Sequence, residues 1–134
     1  MTSVIPSPYM KTRKILIVDD EADATRLLKI LLEKTGKFTV SVENDATHAL
    51  QKTAELKPDL ILMDIVMPHI DGTTIAASIR SHDQLKKTPI IYLTGIVPKE
   101  NSMPHKKLGG YPFIAKPIDL QEVIDCIELN LSEA

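Results

Sequence analysis

Cysteine is almost missing from this sequence, with Cys126 the single example among 134 residues. One cysteine cannot form an internal disulfide, which is typical of a reducing compartment. Because Cys126 lies within the last apolar helical pattern, we expect a buried core thiol and not a nucleophile. Zinc-ligand spacing is also missing, since the four histidines are scattered and have the pattern of surface residues. They are His48, His69, His82 and His105.

Long apolar runs and an excess of charge are missing as well. No stretch approaches the roughly 18 apolar residues that a bilayer span requires. The first residues have no apolar region of the secretory type, and we expect residues 1–12 to form a flexible leader. The formal net charge of −2 predicts binding neither to nucleic acid nor to an acidic membrane surface. The expected location is the cytoplasm.

The residues that are present suit one globular domain, which we place at residues 13–134. Hydrophobic residues make up 43% and charged residues 25% of the chain, so a real core can form. The runs Ile15–Val18 and Leu60–Met63 predict buried strands, and Pro89–Leu93 predicts another strand. Phe38–Val42 alternates apolar and polar residues and predicts an edge strand. Tyr111–Ile114 predicts a fifth strand, which its proline confines to an edge or an irregular strand end.

Helical patterns separate these strands. The first predicted helix has its apolar face at Ala24, Leu27, Leu28 and Leu31 and ends near Gly36. The next begins at about Asp45, a third covers residues 75–79 after the Asp71-Gly72 turn, and the last begins at Asp119. Residues 98–108 are the weakest helical pattern, because Pro104 would break the ladder, and we expect a short, distorted or mobile element. This alternation predicts a parallel sheet with helices on both faces.

Polar residues follow the predicted strands where each strand ends. Asp19, Asp20 and Glu21 follow the first strand, Asp64 the third and Thr94 the fourth, and Lys116 follows the fifth. Because the carboxyl ends of parallel strands share one edge, these side chains are expected to converge. Each of these residues alone has an ordinary structural explanation. An acid after a strand usually caps a helix, as we expect of Glu21 or Asp23, and a lysine before a proline is usually a solvated loop residue.

The chemistry of the set is specific. Carboxylates about 4 Å apart repel by roughly 4 kcal/mol at an effective dielectric near 20, so they bind a proton or a cation. An all-oxygen site favours a hard ion such as Mg²⁺. An aspartate can attack phosphorus and form an aspartyl phosphate, while the metal, a lysine and a hydroxyl stabilise the phosphoryl oxygens. Asp64, Asp20, Lys116 and Thr94 supply one of each part.

These segments resemble the receiver domain of two-component response regulators. Ile15–Glu21, Asp59–Pro68 with Asp71-Gly72, Ile90–Thr94 and Lys116-Pro117 occur in the family's order and at its spacing, and the match runs from about Lys14 to Leu131. The resemblance implies a doubly wound, flavodoxin-like five-stranded parallel sheet with strand order 2-1-3-4-5. It also implies a phosphorylation switch that receives its phosphoryl group from a histidine kinase or a phosphotransfer protein and then alters the binding of a downstream protein.

The resemblance also implies a role for each site residue. Asp64 would be the phosphoacceptor, and Thr94 and Lys116 would hold the phosphoryl oxygens. Asp20, Asp64 and the backbone carbonyl of Val66 would bind Mg²⁺ directly, with Asp19 acting through water. Phe113 falls at the family's switch aromatic and has no hydroxyl, so switching here would rest on packing. Val66 and Ile96 are apolar where the family places residues beside the hydrolytic water, which predicts slow self-dephosphorylation.

Two other classes of protein share part of this pattern. An aspartate-dependent phosphatase acting on small molecules would share the nucleophile and the metal, but it usually carries a second acid two residues after the nucleophile, where Val66 stands. A flavodoxin-like cofactor carrier would need a phosphate-cradling loop in place of Asp19-Asp20-Glu21. If the chain is a receiver, we expect it to be a stand-alone receiver of the chemotaxis type, monomeric or weakly dimeric. The alternative is a module cut from a longer transcription regulator or hybrid kinase.

Overall fold

Strands and helices alternate in the computed structural model, which describes residues 12–95 and 107–132. The strands are β1 (Arg13–Val18), β2 (Phe38–Glu43), β3 (Leu60–Asp64), β4 (Ile90–Thr94), β5 (Lys107–Leu108) and β6 (Tyr111–Ala115). The helices are α1 (Ala22–Glu33), α2 (Ala49–Leu56) with a 3₁₀ turn before it (Ala46–His48), α3 (Gly72–Arg80) and α4 (Leu120–Ser132).

The strands form one sheet in the order β2-β1-β3-β4-β6-β5. All neighbours from β2 to β6 run parallel. Since β6 is the predicted fifth strand, the predicted parallel order 2-1-3-4-5 is confirmed. Parallel strands need crossover connections, and the helices α1, α2 and α3 supply them between β1, β2, β3 and β4.

The sixth strand was not predicted. β5 pairs antiparallel with β6 through Gly109-Gly110, whose φ angles are 60° and 89°. Positive φ angles at both central residues are characteristic of a type I′ hairpin turn, and glycine adopts them without strain. Residues 107–108, the end of the segment for which we expect a short, distorted or mobile element, form a short strand. Residues 98–106 lie outside the described residues.

Each face of the sheet has its own apolar cluster. One face joins α1 and α4 to alternate strand residues such as Ile15, Leu62 and Leu93. The other joins α2 and α3 to the intervening residues, such as Leu16, Met63 and Tyr92. The central strands β1, β3 and β4 face a cluster on each side, which explains their uninterrupted aliphatic sequences. Cys126 lies in the first cluster, 3% exposed, and burial raises the pKa of its thiol to about 11, as expected of a core thiol.

The helix starts are largely those that the sequence predicts. Asp45 accepts a hydrogen bond from the Thr47 amide, and Asp119 accepts one from the Glu122 amide. Asp71 caps α3 by accepting from the Thr74 amide at 3.0 Å. None of the helices within the described residues has both the length and the apolar character that a bilayer span requires.

The predicted apolar face of α1 is partly wrong. The helix buries Thr25, Leu28 and Leu32, whereas Leu27 is 58% exposed. Seven of its twelve residues are apolar, so periodicity alone does not single out one face. Thr25 can be buried because its hydroxyl donates to the Ala22 carbonyl at 3.0 Å. The rotation leaves an apolar groove beside the end of β1, lined by Ala24, Leu27, Leu28, Leu31, Ile118 and Leu120.

Candidate functional site

The carboxyl edge of the sheet carries the predicted polar residues. Asp64 is the last residue of β3, and its predecessor Met63 pairs with Val18 at the end of β1, so Asp19 and Asp20 emerge beside it. Thr94 ends β4, and Lys116 directly follows β6. The Lys116 amide donates to the Thr94 carbonyl at 2.8 Å. The fold therefore brings together residues from four strands.

Lys116 is the centre of the ion pairs at this edge. Its Nζ lies 3.3 Å from Asp19 Oδ2, 3.4 Å from Asp64 Oδ1 and 3.6 Å from Glu21 Oε1. Asp19 and Asp64 are 3% and 4% exposed, so their charges interact in a largely dehydrated place. One ammonium faces three carboxylates, which leaves the site with an excess of negative charge.

The excess charge and the oxygen ligands suit a hard divalent cation. Carboxylate oxygens of Asp19, Asp20 and Asp64 lie within 4.8 Å of one another. Asp20 is exposed while the other two are buried, so the site is open to solvent on one side. One or two carboxylates with room for water are the donors that Mg²⁺ usually takes, and the residues present fit that ion.

The protonation equilibria show how strongly these groups interact. Burial, reinforced by the Asp19 carboxylate, raises the pKa of Asp64 from 3.8 to about 6, although Lys116 acts in the opposite direction. For Lys116, burial acts to lower the pKa, but the carboxylates of Asp19 and Asp64 outweigh it and the pKa is raised. Lys116 therefore stays charged, while Asp64 is a carboxylate that a nearby cation would stabilise.

A close contact with α3 supports Asp64 from behind. Gly72 opens α3, and its amide donates to the Ile65 carbonyl at 2.8 Å. A Cβ at this position would lie 2.2 Å from the Asp64 carbonyl oxygen and 2.9 Å from Met63 Cγ. Only glycine lets the helix approach the end of β3 so closely. The Asp71-Gly72 pair therefore has two functions, a helix cap and a close approach to the site.

The remaining predicted site residues differ in how far they are buried. Thr94 is fully buried at the end of β4. Phe113 is 5% exposed in β6 and belongs to the cluster that also contains Tyr92. Val66 is 61% exposed in the loop after Asp64, and Ile96 lies outside the described residues. Tyr111 packs edge-on against Tyr92, with ring centroids 5.2 Å apart.

Sequence reasoning misjudged or missed two residues near this edge. Glu21 occupies the N-cap position of α1, but its side chain makes no capping hydrogen bond and instead lies near Lys116. Asn44 was not singled out at all, although its amide nitrogen donates to the Asp19 carbonyl. An asparagine just after an edge strand is usually a turn residue, so its reach toward a neighbouring strand has no local sequence signal.

Known proteins are similar to this chain in sequence. The response regulator receiver domain family matches residues 15–128. The regulatory protein AtoC of Escherichia coli is 36% identical over 110 residues, which cover 82% of this chain and 23% of AtoC. The polar-differentiation response regulator DivK of Brucella anthropi is 30% identical over 122 residues, covering 91% of this chain and 98% of DivK.

A solved structure gives the same assignment. The chemotaxis protein CheY4 of Vibrio cholerae superposes with a TM-score of 0.75 and 26% identity, covering 89% of this chain and 98% of that one. The chain spans less than a quarter of AtoC but nearly the whole of DivK. With the family match extending over most of its length, the chain belongs to the response regulator receiver domains of two-component signalling.

Proposed function

We propose that this receiver is a phosphorylation switch in which Asp64 accepts a phosphoryl group with the help of Mg²⁺. One observation carries the proposal: the Asp64 carboxylate lies at an open edge with two further aspartates within 4.8 Å and Lys116 Nζ at 3.4 Å. A nucleophile, an oxygen-ligand metal site and a fixed cation are the parts that phosphoryl transfer requires.

In the transfer step, a carboxylate oxygen of Asp64 attacks phosphorus. The new O–P bond forms as the bond from phosphorus to the donor histidine nitrogen breaks, and the imidazole leaves with the bonding electrons. Bound Mg²⁺, held by Asp20, Asp64 and the Val66 carbonyl with Asp19 acting through water, would neutralise charge on the phosphoryl oxygens. Lys116 would turn from the carboxylates toward one phosphoryl oxygen, and Thr94 would donate to another.

The switch would follow from those new bonds. Two charge-assisted hydrogen bonds contribute roughly 1.5–3 kcal/mol each, which approaches the roughly 5.5 kcal/mol that inverts a 1:99 population. Lys116 and Thr94 are already joined by the backbone hydrogen bond between them, so a shift at one carries to the other strand. Phe113, two residues before the end of β6, is the aromatic whose packing would change with this shift.

The proposed partners are a sensor histidine kinase or phosphotransfer protein and a downstream protein target. A donor must bring its histidine to Asp64 and therefore must contact the surface next to it. The groove beside α1 offers apolar side chains there, including the exposed Leu27, and it adjoins Asp19 and Lys116. We propose a cytoplasmic protein that acts alone or as a weak dimer, or as the receiver of a longer regulator, without binding nucleic acid or membrane through this domain.

Phosphorylation by a small donor tests the proposal. Acetyl phosphate with Mg²⁺ is expected to add the mass of one phosphoryl group to the wild-type protein and none to Asp64→Asn. Asp20→Asn should label slowly because a metal ligand is missing, and Lys116→Ala should label without the full change in backbone NMR shifts. Asp125→Asn, an exposed site on α4, is the matched control and should behave as wild type.

Two results would contradict this function. A label that persists in Asp64→Asn would place the acceptor elsewhere. Labelling of the wild type that is unchanged when EDTA removes the metal would remove Mg²⁺ from the reaction.

A further inference from the structure

Asn44 joins two loops at the carboxyl edge of the sheet. It directly follows β2, and its Nδ2 donates to the Asp19 carbonyl at 2.7 Å and to Thr25 Oγ1 at 3.0 Å. The partners are 25 and 19 residues away in sequence, so the side chain bridges from the edge strand to the β1–α1 turn. The two amide hydrogens of asparagine match two acceptors.

These bonds fix the peptide group between Asp19 and Asp20. The Asp19 amide donates to the Glu43 carbonyl at 3.2 Å, and the Asp19 side chain accepts from the Glu21 amide at 3.0 Å. The Asp19 carbonyl is the acceptor that Asn44 holds. With both sides of Asp19 bonded, the plane of the next peptide is set, and with it the direction in which the Asp20 side chain leaves the backbone.

Thr25 anchors the other end of the bridge. It is 2% exposed, and its hydroxyl donates to the Ala22 carbonyl while accepting from Asn44. The first turn of α1 and the turn that carries the aspartates are thus connected through one amide group. Asn44 itself is exposed, so truncating it removes hydrogen bonds without opening a cavity in the core.

We propose that Asn44 is a positioning residue for the acidic site, which orients the Asp19–Asp20 peptide so that both carboxylates meet a divalent cation. The inference rests on the proposed function, because the cation is the Mg²⁺ of that reaction. Residues that orient metal ligands typically contribute about 10–100-fold to metal affinity. Because solvent can replace part of the lost bonding at an exposed residue, we expect the lower end, a roughly tenfold weaker Mg²⁺ affinity.

Mg²⁺ titration of the metal-free protein tests the inference without using phosphoryl transfer. Backbone NMR shifts of Asp20 and Asp64 report the dissociation constant in wild type, Asn44→Ala and Asn44→Asp. Asn44→Ala is expected to bind about tenfold more weakly. Asn44→Asp keeps the shape of the side chain but sets an oxygen against the Asp19 carbonyl and adds a negative charge. Loss of the hydrogen bond predicts weaker Mg²⁺ binding, whereas the added charge alone predicts tighter binding.

A second asparagine provides the control for a general loss of hydrogen bonding. Asn130 Nδ2 donates to the Cys126 carbonyl at 2.8 Å within α4. Asn130→Ala removes a comparable bond far from the aspartates and should keep the wild-type Mg²⁺ affinity. Thr25→Val removes the Thr25 hydroxyl but leaves the bond from Asn44 to Asp19, so it should weaken Mg²⁺ binding less than Asn44→Ala. If Asn44→Ala does not fold, Thr25→Val tests the positioning role in its place.

The outcomes separate this inference from the proposed function. Wild-type affinity in Asn44→Ala, tighter binding in Asn44→Asp, or equal weakening in Asn130→Ala would each overturn the positioning role. In the Thr25→Val experiment, an unchanged dissociation constant would do the same. A wild-type protein that shows no Mg²⁺ response at Asp20 and Asp64 would instead overturn the proposed function, and this inference with it.

Discussion

The ionised form of the Asp64 side chain is less stable in the folded protein than in the unfolded chain. Its pKa rises from 3.8 to about 6 because burial and Asp19 outweigh Lys116. Between these two values the folded protein binds more protons than the unfolded chain, so the free energy of unfolding falls as pH rises through that window. The destabilisation is fully present above about pH 6 and absent below about pH 4.

Removing this charge should stabilise the metal-free protein. In EDTA near pH 7, Asp64→Asn is expected to raise the free energy of unfolding by about 1–3 kcal/mol, and the gain should shrink toward zero as pH falls to about 4. Urea unfolding across this pH range measures the effect, with Asp125→Asn as the exposed control. A variant less stable than wild type near neutral pH would mean that the ion pair with Lys116 outweighs burial.

At the scale of secondary-structure elements, α3 begins so close to the end of β3 that its first residue, Gly72, has no room for a side chain. Gly72→Ala is expected to cost about 1–3 kcal/mol, since its Cβ would overlap the Asp64 carbonyl. The displaced carbonyl belongs to Asp64, the proposed phosphoacceptor and metal ligand, so Mg²⁺ affinity should fall as well. Thermal unfolding and Mg²⁺ titration measure the two effects.

Gly95→Ala is the matched control, because a Cβ there would meet nothing within 4 Å. It should leave stability close to that of wild type. Equal stability of Gly72→Ala and Gly95→Ala would show that α3 can move away from the strand without loss.

The elements also show what sequence can and cannot reveal. Buried runs such as Leu60–Met63 identified the central strands, and parallel topology then placed Asp20, Asp64 and Lys116 at one edge. The orientation of α1 was only partly predictable, because its many leucines do not show which face packs against the sheet. Strand β5 was missed because two residues carry no periodicity. Asn44 was missed because its partners are distant in sequence.

At the scale of the whole molecule, a cation that binds only the folded state should raise overall stability. Metal at about 100 times its dissociation constant adds about 2.7 kcal/mol, or several degrees in melting temperature. Mg²⁺ should therefore raise the melting temperature of the wild type, and EDTA should reverse the increase. Asp20→Asn should gain little from Mg²⁺ but start higher without it, because one repulsion among the carboxylates is gone. Equal increases in both proteins would contradict the metal site.

The short outer strand β5 has a consequence for self-association. A long, flat edge strand offers its unpaired backbone groups to another chain and invites sheet-to-sheet polymerisation. Within the part of the chain that the structure describes, β5 has two residues and is followed by a tight turn, so it offers few backbone groups at that border of the sheet. Fibre-like stacking through these two residues is therefore disfavoured, so this part of the sheet border is less exposed to trapping by other copies of the chain.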